Sequence, residues 1–411
     1  MRAGRAAAAA LWTGEALLHR AALRWDADGQ LLEITPAEAA DPLLPGLLSV
    51  GFVNAHAHLE LSHPGGPVPG GAGSVAWVRA LGARGAGPLP PGALAGAAAA
   101  ARAAGCAALI DHSNSALDAS PEEADQVAAA MAAAGLRGVV QAECIGLGPA
   151  RVEAQLAAAG PPRQVAHGVW VRPTAHSPVS CAPGLLRAAL GAVGPGLPAA
   201  TVHCDEDEAD LALLADRAGP WAHFHAGLAA LRPGHDWAAL LGQAPSGVAL
   251  LDTLGLLGPR LGLVHLTAAR PADLDRVAAA GATAVLCPRS NRHITGRLPP
   301  VRGLLQRGAR LALGTDSLAS APDLDLLAEA ALLADALPDV DPAVWLRALT
   351  TGGAALLGPA AAPPLAVGAP LPPLLHLPAP ALADPRDGLR ALLDGSPWPR
   401  RWLQRTAGAA A

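Results

Sequence analysis

The stretch LLSVGFVNAHAH, residues 47–58, decides how the chain folds. It is a continuous apolar run that ends in two histidines one residue apart. Apolar runs of this kind, bounded by turn residues, are typical of strands buried on both faces, as in parallel sheets. Polar Glu60 follows two residues after His58, so the run predicts a buried strand with chemically useful side chains at its carboxyl end.

The same pattern recurs seven more times, and Ala- and Leu-rich stretches typical of helices usually follow it. The further runs are AALIDHSN (107–114), RGVVQAECIG (137–146), VWVRPTAHSP (169–178), AATVHCDE (199–206), LGLVHLT (261–267), ATAVLCPRSN (282–291) and ARLALGTDS (309–317). Eight buried strands separated by helices predict an α/β protein in which a (β/α)8 TIM barrel spans residues 47–359. A doubly wound open sheet is the competing layout, but it does not readily bring the first, fifth, sixth and eighth strand ends together.

The two ends of the chain have a different pattern. Residues 1–46 contain short β-like pieces, and residues 360–411 begin with a Pro/Ala-rich passage before PLLHLP and RRWLQR. We therefore expect the N- and C-terminal segments to form a small β-subdomain beside the barrel. Proline is frequent in the segments where the strands of this subdomain are expected. Because proline has no N–H to donate to a neighbouring strand, these strands are expected to be short or at an edge.

Composition excludes several classes of function. The 411 residues carry a formal net charge of −5, which leaves no basic footprint for nucleic acid. No uncharged apolar stretch reaches about 18 residues, so the sequence predicts no membrane span. The N-terminal apolar run ends at Gly14 without a clear cleavage site, which argues against export. The five cysteines contain no C-x-x-C pair and are typical of free thiols, so we expect a cytoplasmic protein.

His56 and His58 lie at the end of the first predicted strand. Residues i and i+2 of a strand point to the same face, so both imidazoles can reach one metal ion. An isolated H-x-H is a weak indication by itself. Its position at the carboxyl end of a barrel strand, where the active sites of this fold lie, favours a metal site.

Three later strand ends add titratable residues to the same rim. His203 ends the fifth strand and Glu206 follows; imidazole suits zinc or iron, and a carboxylate that is not a ligand can move protons. The simpler alternative for Glu206 is stabilisation of the amino end of the next helix. His265 ends the sixth strand, where an ordinary core histidine is the alternative. Asp316 ends the eighth strand, where its carboxylate could instead cap a helix.

In chain order, NAHAHLELS, VHCDE, LVH, CPRSN and GTDSLAS resemble the amidohydrolase superfamily. More narrowly, they resemble its cytosine deaminase and chlorohydrolase branch, which includes adenosine-type and aminofutalosine deaminases. The resemblance covers about residues 45–360. It implies a metal-dependent hydrolase that acts on non-peptide C–N bonds.

The resemblance also implies one divalent metal ion, with Zn²⁺ favoured and Fe²⁺ as the alternative. The implied metal ligands are His56, His58, His203 and Asp316. Two-metal members of the superfamily commonly bridge their ions with a carboxylated lysine from the fourth strand. This sequence contains no lysine, and its fourth strand ends in Thr174-Ala175-His176, which favours a single metal.

Three residues are implied to act in catalysis. Glu206 would shuttle protons, and His265 and Asp316 would orient the attacking water, whose pKa a zinc-type ion lowers to about 7. The expected substrate contacts are His176, Arg289 and Asn291. Further candidate contacts, each more simply explained as a structural or surface residue, are Arg79, His112, Arg172 and His235.

We therefore expect hydrolytic deamination of an aminated N-heterocycle, with an adenine-type nucleoside favoured as the small-molecule substrate. The HLELS phrase resembles aminofutalosine deaminases, which points to aminodeoxyfutalosine. Removal of chloride or opening of a cyclic amide uses the same activated water and is the alternative. A non-enzymatic barrel would show broken ligands, and a serine hydrolase would need a nucleophile elbow, which GAGSV at 71–75 lacks. The sequence leaves homo-oligomerisation open.

Overall fold

The computed structural model describes residues 3–62, 65–84, 90–114, 121–191, 194, 196–230, 236–378 and 385–403. Its strands are β1 Gly4–Trp12, β2 Leu17–Trp25, β3 Leu31–Pro36, β4 Leu43–Val50, β5 Phe52–Ala57, β6 Cys106–Ser113, β7 Arg137–Cys144, β8 Arg163–Ala166, β9 Val169–Ala175, β10 Ala200–Cys204, β11 Leu261–His265, β12 Thr283–Leu286, β13 Arg310–Leu313, β14 Leu374–Leu377 and β15 Arg401–Trp402. Its α-helices are α1 Ser74–Arg84, α2 Ala93–Ala103, α3 Pro121–Ala133, α4 Pro149–Ala159, α5 Pro183–Leu190, α6 Glu208–Asp216, α7 Gly219–Ala230, α8 Trp237–Leu240, α9 Gly247–Thr253, α10 Pro271–Ala280, α11 Pro288–Thr295, α12 Val301–Gln306, α13 Leu326–Ala336, α14 Pro342–Arg347, α15 Gly353–Leu357 and α16 Pro385–Leu392. A 3₁₀ turn covers Leu59–Leu61, and a π-helical turn covers Ala348–Gly352.

Eight of the described strands run parallel, in two curved sheets. One sheet has the order β5-β6-β7-β9, with β8 added antiparallel at its edge, and the other has the order β10-β11-β12-β13. Every residue of β5, β10, β11 and β12 is buried. Burial along the whole strand is what helices on the outer face of a parallel sheet produce. The predicted α/β class and the order of the eight strands are confirmed.

The two parallel sheets approach each other at both ends. Ala57 of β5 forms a parallel bridge with Asp316, just beyond β13. At the other end, the His203 N–H donates to the carbonyl oxygen of His176 at 3.0 Å. Among the described residues the ladder is interrupted at these two places, so the arrangement is barrel-like rather than one continuous ladder.

A six-stranded sheet beside the barrel-like body combines both ends of the chain. Its order is β15-β14-β4-β1-β2-β3, and β1 pairs with β4 in parallel while the other pairs are antiparallel. The run 47–58 is divided between the two bodies at Gly51, whose N–H donates to Pro373 O at 2.9 Å. A Cβ at Gly51 would lie 2.5 Å from the Cβ of Ala107, so only glycine fits where the chain crosses.

Backbone strain is concentrated at the carboxyl ends of the parallel strands. Four of the six described non-glycine residues with positive φ lie there: Asp205 (48°), His265 (78°), Leu266 (55°) and Asp316 (57°). Such a conformation costs about 1–3 kcal/mol and persists only where surrounding contacts impose it. The strain therefore marks this rim as the place where side chains are held in special positions.

Two expectations from composition can be compared with the structure. All five cysteines are buried and free. In the described part of the chain, no helix is both long and apolar enough to cross a membrane.

Candidate active site

Four side chains from the predicted ligand set converge at the rim. The Nε2 atoms of His58 and His203 are 3.4 Å apart, and Asp316 Oδ1 lies 3.5 Å from His56 Nε2 and 3.7 Å from His58 Nε2. All four residues are buried. The structure thus brings together side chains that enter from the first, fifth and eighth parallel strands.

These residues fit a single divalent ion. Both ring nitrogens of His56 are buried without a hydrogen-bond partner among the described residues, a condition that costs about 1–3 kcal/mol for each unsatisfied group. Zinc holds nitrogen and oxygen ligands at about 2.0–2.2 Å, so ligands in a tetrahedral shell lie about 3.3–3.5 Å apart. The separations of 3.4 Å and 3.5 Å between donor atoms match that spacing.

The chain places Asp316 beside His56 through the backbone. The N–H groups of Thr315 and Asp316 both donate to His56 O at 3.0 Å. Asn54 Nδ2 donates to Thr315 Oγ1 at 2.7 Å and fixes the turn from the β5 side. A Cβ at Gly314 would lie 2.7 Å from the Cβ of His56, so the close approach requires glycine.

The Asp316 carboxylate is oriented by two hydroxyl groups. Ser290 Oγ and Ser320 Oγ both donate to Oδ2, the latter at 3.0 Å. Oδ1 is therefore the oxygen that faces His56 and His58. Although burial raises the pKa of the Asp316 carboxyl, these histidines hold it well below its usual range. An ionised carboxylate that presents one oxygen in a fixed direction is suited to bind a metal ion.

His265 and Glu206 meet next to this cluster, with His265 Nε2 3.8 Å from Glu206 Oε1. The side chain of His265 is 2% exposed, whereas that of Glu206 is 19% exposed and reaches the solvent edge of the site. Burial and the negative charge of Asp316 raise the pKa of Glu206 well above its ordinary value. A carboxyl group with a raised pKa is suited to take up a proton and pass it on.

A family model for amidohydrolases matches residues 47–368. The chain belongs to the amidohydrolase family. Together with the observed sheets, this membership gives it a TIM-barrel-like fold with a small β-domain.

Named relatives of this amidohydrolase are deaminases. It is 35% identical to an aminodeoxyfutalosine deaminase of Deinococcus radiodurans over 189 residues, which cover 44% of each chain. It is 32% identical to a 5-methylthioadenosine/S-adenosylhomocysteine deaminase of Syntrophobacter fumaroxidans over 190 residues, which cover 44% of this chain and 38% of the relative. The amidohydrolase thus spans less than half the length of these curated relatives.

Solved structures show the same fold at low identity. An aminofutalosine deaminase of Helicobacter pylori in complex with methylthio-coformycin superposes with a TM-score of 0.79 and 17% identity, covering 96% of this chain and 97% of that one. An atrazine chlorohydrolase of Arthrobacter aurescens complexed with zinc gives 0.67 and 17%, covering 93% and 90%. At this identity the likeness establishes the fold of the amidohydrolase and nothing further.

The three predicted substrate contacts lie in different environments. His176 borders the cluster, with its ring centroid 4.7 Å from that of His203. Asn291 faces inward and contacts His265, Nδ2 to Nδ1, at 2.9 Å. Arg289 is not brought to the cluster: its Nε donates to Glu329 Oε1 at 2.7 Å and its Nη2 to Asp323 Oδ1 at 2.8 Å. Two of its guanidinium nitrogens are engaged by acidic residues of the amidohydrolase itself, and its role as a substrate contact stays a prediction.

The lesser candidates also separate. His112 joins the histidine cluster, with its ring centroid 4.5 Å from that of His56. Arg172 is fully buried and donates to backbone carbonyl oxygens, which is a structural role. Arg79 is exposed on α1. His235 lies outside the described residues.

Sequence reasoning assigned no role to two buried glutamates that contact the predicted ligands from behind. Glu143 Oε1 lies 3.2 Å from His203 Nδ1, and Glu60 Oε1 lies 3.5 Å from His58 Nδ1. A signal for Glu143 was present: it follows Gln141 at i+2 near the end of an apolar strand, on the face shared by these two polar residues. A charged residue at such a position needs a partner when buried.

Proposed function

We propose that this amidohydrolase is a metal-dependent enzyme that hydrolytically deaminates an adenine-type nucleoside. One observation carries the proposal: Glu206, at the solvent edge, lies 3.8 Å from His265 and beside four side chains that fit one ion. This combination supplies water activation and proton transfer at one place. The names of the relatives support the substrate class, and that of the Deinococcus relative favours aminodeoxyfutalosine.

The proposed ion is divalent, with Zn²⁺ favoured over Fe²⁺. Its proposed ligands are His56, His58, His203 and Asp316. When bound, such an ion lowers the pKa of water to about 7 and so makes a nucleophile available at neutral pH. Three imidazoles and a carboxylate suit either metal. The zinc in the Arthrobacter chlorohydrolase structure supports the choice of zinc.

The protein's own groups then manage the protons. Glu206 takes a proton from the attacking water and delivers it to the ring nitrogen next to the carbon under attack. His265 donates a hydrogen bond from Nε2, because its Nδ1 already accepts one from Asn291 Nδ2. Glu206 would then take the remaining hydroxyl proton and deliver it to the amino group, so that the C–N bond breaks, ammonia leaves and the oxygen of water remains as a carbonyl. Positioned acid–base groups of this kind contribute about 10²–10⁴-fold.

His176 is suited to hold the substrate beside the reacting carbon. Its Nδ1 lies 2.8 Å from Ser180 Oγ and 3.0 Å from Ser177 Oγ. Because the serines engage Nδ1, Nε2 is the nitrogen that can meet a heterocycle. Exchange of His176 for Phe would then raise KM more than it lowers kcat.

The finer architecture and location are also proposals. Closure of the eight strands into a (β/α)8 barrel over 47–359 is supported by the Ala57–Asp316 bridge. A subdomain of residues 1–46 and 360–411 is supported by the six-stranded sheet that both ends build. The buried free cysteines support a cytoplasmic location.

Ammonia release by zinc-loaded protein tests the function. The panel holds adenosine, S-adenosylhomocysteine, aminodeoxyfutalosine, cytosine, guanine and a chlorinated amino-triazine. We expect ammonia from a nucleoside, its loss in Glu206→Gln, and its retention in Glu208→Gln, whose carboxylate pairs with Arg270 and Arg297 at the surface. Chloride without ammonia from the triazine would replace deamination by dechlorination. No product from any compound by metal-loaded protein would refute the proposal.

A further inference from the structure

Glu143, at the end of β7, is a carboxylate buried behind the proposed metal ligands. It is 1% exposed. Its ion-pair contacts in the described part of the chain are with imidazoles: Oε1 lies 2.9 Å from His112 Nδ1 and 3.2 Å from His203 Nδ1. Burial of a carboxylate is energetically unfavourable unless positive charge and hydrogen bonds compensate it. The two imidazole rings supply that compensation here.

The hydrogen bonds determine which nitrogen of the His203 and His112 rings carries the proton and which accepts. His203 Nδ1 donates to the carbonyl oxygen of His176 at 3.0 Å and faces Glu143 at the same time. His203 Nε2 is therefore the free lone pair, and it is the atom that lies 3.4 Å from His58 Nε2. His112 donates from Nδ1 to Glu143 and accepts at Nε2 from the Thr201 hydroxyl.

The network closes on itself through β10. Thr201 and His203 lie two residues apart on that strand and so point to the same face. Thr201 holds His112, His112 holds Glu143, and Glu143 faces His203. Three residues from three strands, Thr201, His112 and Glu143, thus act on the angle of the His203 ring.

We propose that Glu143 is a positioning residue that fixes the ring of His203 with Nε2 towards the metal, and that His112 and Thr201 hold Glu143 in place. The inference rests on the metal site of the proposed function. The His176 carbonyl oxygen accepts the far N–H of His203 and fixes its tautomer, while the negative charge of Glu143, 3.2 Å from the same nitrogen, orients the ring and raises its basicity. The charge of a divalent ion at Nε2 would in turn stabilise the buried carboxylate.

The expected effect is on metal affinity. Removal of a group that supports a ligand typically costs about 10–100-fold in metal affinity. Glu143→Gln keeps the shape of the side chain but loses the charge, so we expect the Kd for Co²⁺ to rise within that range. Thr201→Val acts at the far end of the network and should raise the Kd by a smaller factor.

The test measures Co²⁺ binding by competition with a chelator, together with the d–d spectrum of the Co²⁺ protein. Thr350→Val is the matched control for Thr201→Val: Thr350 is buried, and its hydroxyl bonds to the Leu346 carbonyl oxygen and to Trp12 Nε1 rather than to a histidine. It should lower stability without changing the Kd or the spectrum. Thr201→Val keeps the test usable if Glu143→Gln does not fold.

Each outcome decides something different. A wild-type Kd and spectrum in Glu143→Gln would overturn the positioning role. Two equivalents of Co²⁺ in the wild type and one in Glu143→Gln would also overturn it, because Glu143 would then be a ligand of a second ion. If Asp316→Asn also kept its ion, the proposed metal site itself would be wrong. The assay uses no substrate, so a failure to release ammonia leaves this result standing.

Discussion

Asn291 contacts His265 with Nδ2 2.9 Å from the ring Nδ1, and thereby determines what His265 offers to the site. A neutral imidazole that accepts at Nδ1 carries its proton on Nε2. Because Nε2 faces Glu206, His265 presents a donor rather than a lone pair there. This separates His265 from the ligand histidines, although its ring lies within the same cluster.

We expect Asn291→Leu to lower kcat about 10²-fold, the lower end of the contribution of a positioned acid–base group. Metal content should not change, because Asn291 contacts no proposed ligand atom in the described structure. Asn291→Asp should be equally impaired, since a carboxylate would draw the proton of His265 to Nδ1. ¹⁵N chemical shifts of His265 check the tautomer. A proton on Nδ1 in the wild type would contradict this assignment.

Removal of the anionic ligand should release the metal. In Asp316→Asn we expect less than one equivalent of zinc after dialysis and loss of activity, both measured on the same preparation. Ser320→Ala removes one of two hydroxyls on Oδ2 and should weaken zinc by about 10-fold, at the low end for a supporting group. An Asp316→Asn protein with one equivalent of metal and full activity would rule out the proposed site.

Asp207, which directly follows Glu206, forms hydrogen bonds to Ser74 at the start of α1. Its Oδ2 accepts from the Ser74 N–H at 2.8 Å and from Ser74 Oγ at 3.2 Å, and its side chain caps α6. We expect Asp207→Ala to cost about 1 kcal/mol of unfolding free energy, the usual cost of a lost N-cap. KM should also rise, because Asp207 directly follows Glu206 and its loss leaves that segment less ordered.

Ser74→Ala serves as the matched control for this link. It removes the hydroxyl contact but keeps the backbone N–H bond and the cap of α6. Urea unfolding and steady-state kinetics should therefore show a smaller change in both quantities than in Asp207→Ala. Equal effects in the two variants would mean that the hydroxyl, rather than the cap and the backbone bond, carries the link.

Asp210 should make stability depend on pH. Burial and the charges of Asp205 and Asp207 raise the pKa of Asp210 to about 7, against about 3.9 in an unfolded chain. Between these values the folded state binds more protons, so its contribution to stability is present below about pH 4 and is lost as pH rises through about 7. Asp210→Asn should flatten the dependence of the unfolding free energy on pH in this window.

Urea unfolding at pH values from about 4 to 8 measures this slope. Exposed Asp335→Asn is the control and should keep the wild-type slope. The two oxygens of Asp210 accept from the Glu206 N–H and from Trp221 Nε1, and because an asparagine keeps only one of these acceptors, Asp210→Asn should also cost about 1 kcal/mol at every pH. A slope in Asp210→Asn equal to that of the wild type would show that Asp210 is ionised throughout.

The sequence predicts what depends on local pattern. The eight parallel strands could be placed because each is a short apolar run, and His56 and Asp316 could be placed because strand ends share one rim. The point at which the chain passes from the terminal sheet to the first parallel strand, Gly51, could not be placed. The apolar run continues through Gly51, and only the contact with Ala107 reveals the break. The salt bridge between Arg289 and Glu329 could not be predicted either, since the two residues lie 40 positions apart in the chain.

The contact between Asn54 and Thr315 joins positions 261 residues apart, where the first and last parallel strands meet. Closure of so long a loop is entropically unfavourable. An ion shared by His56 and Asp316 would bind only after this closure and would stabilise it by mass action. During synthesis, residues 310–316 emerge after the other seven parallel strands have been made. Metal uptake would then be one of the last events of biogenesis, and a nascent chain stalled before residue 310 would lack a ligand it needs.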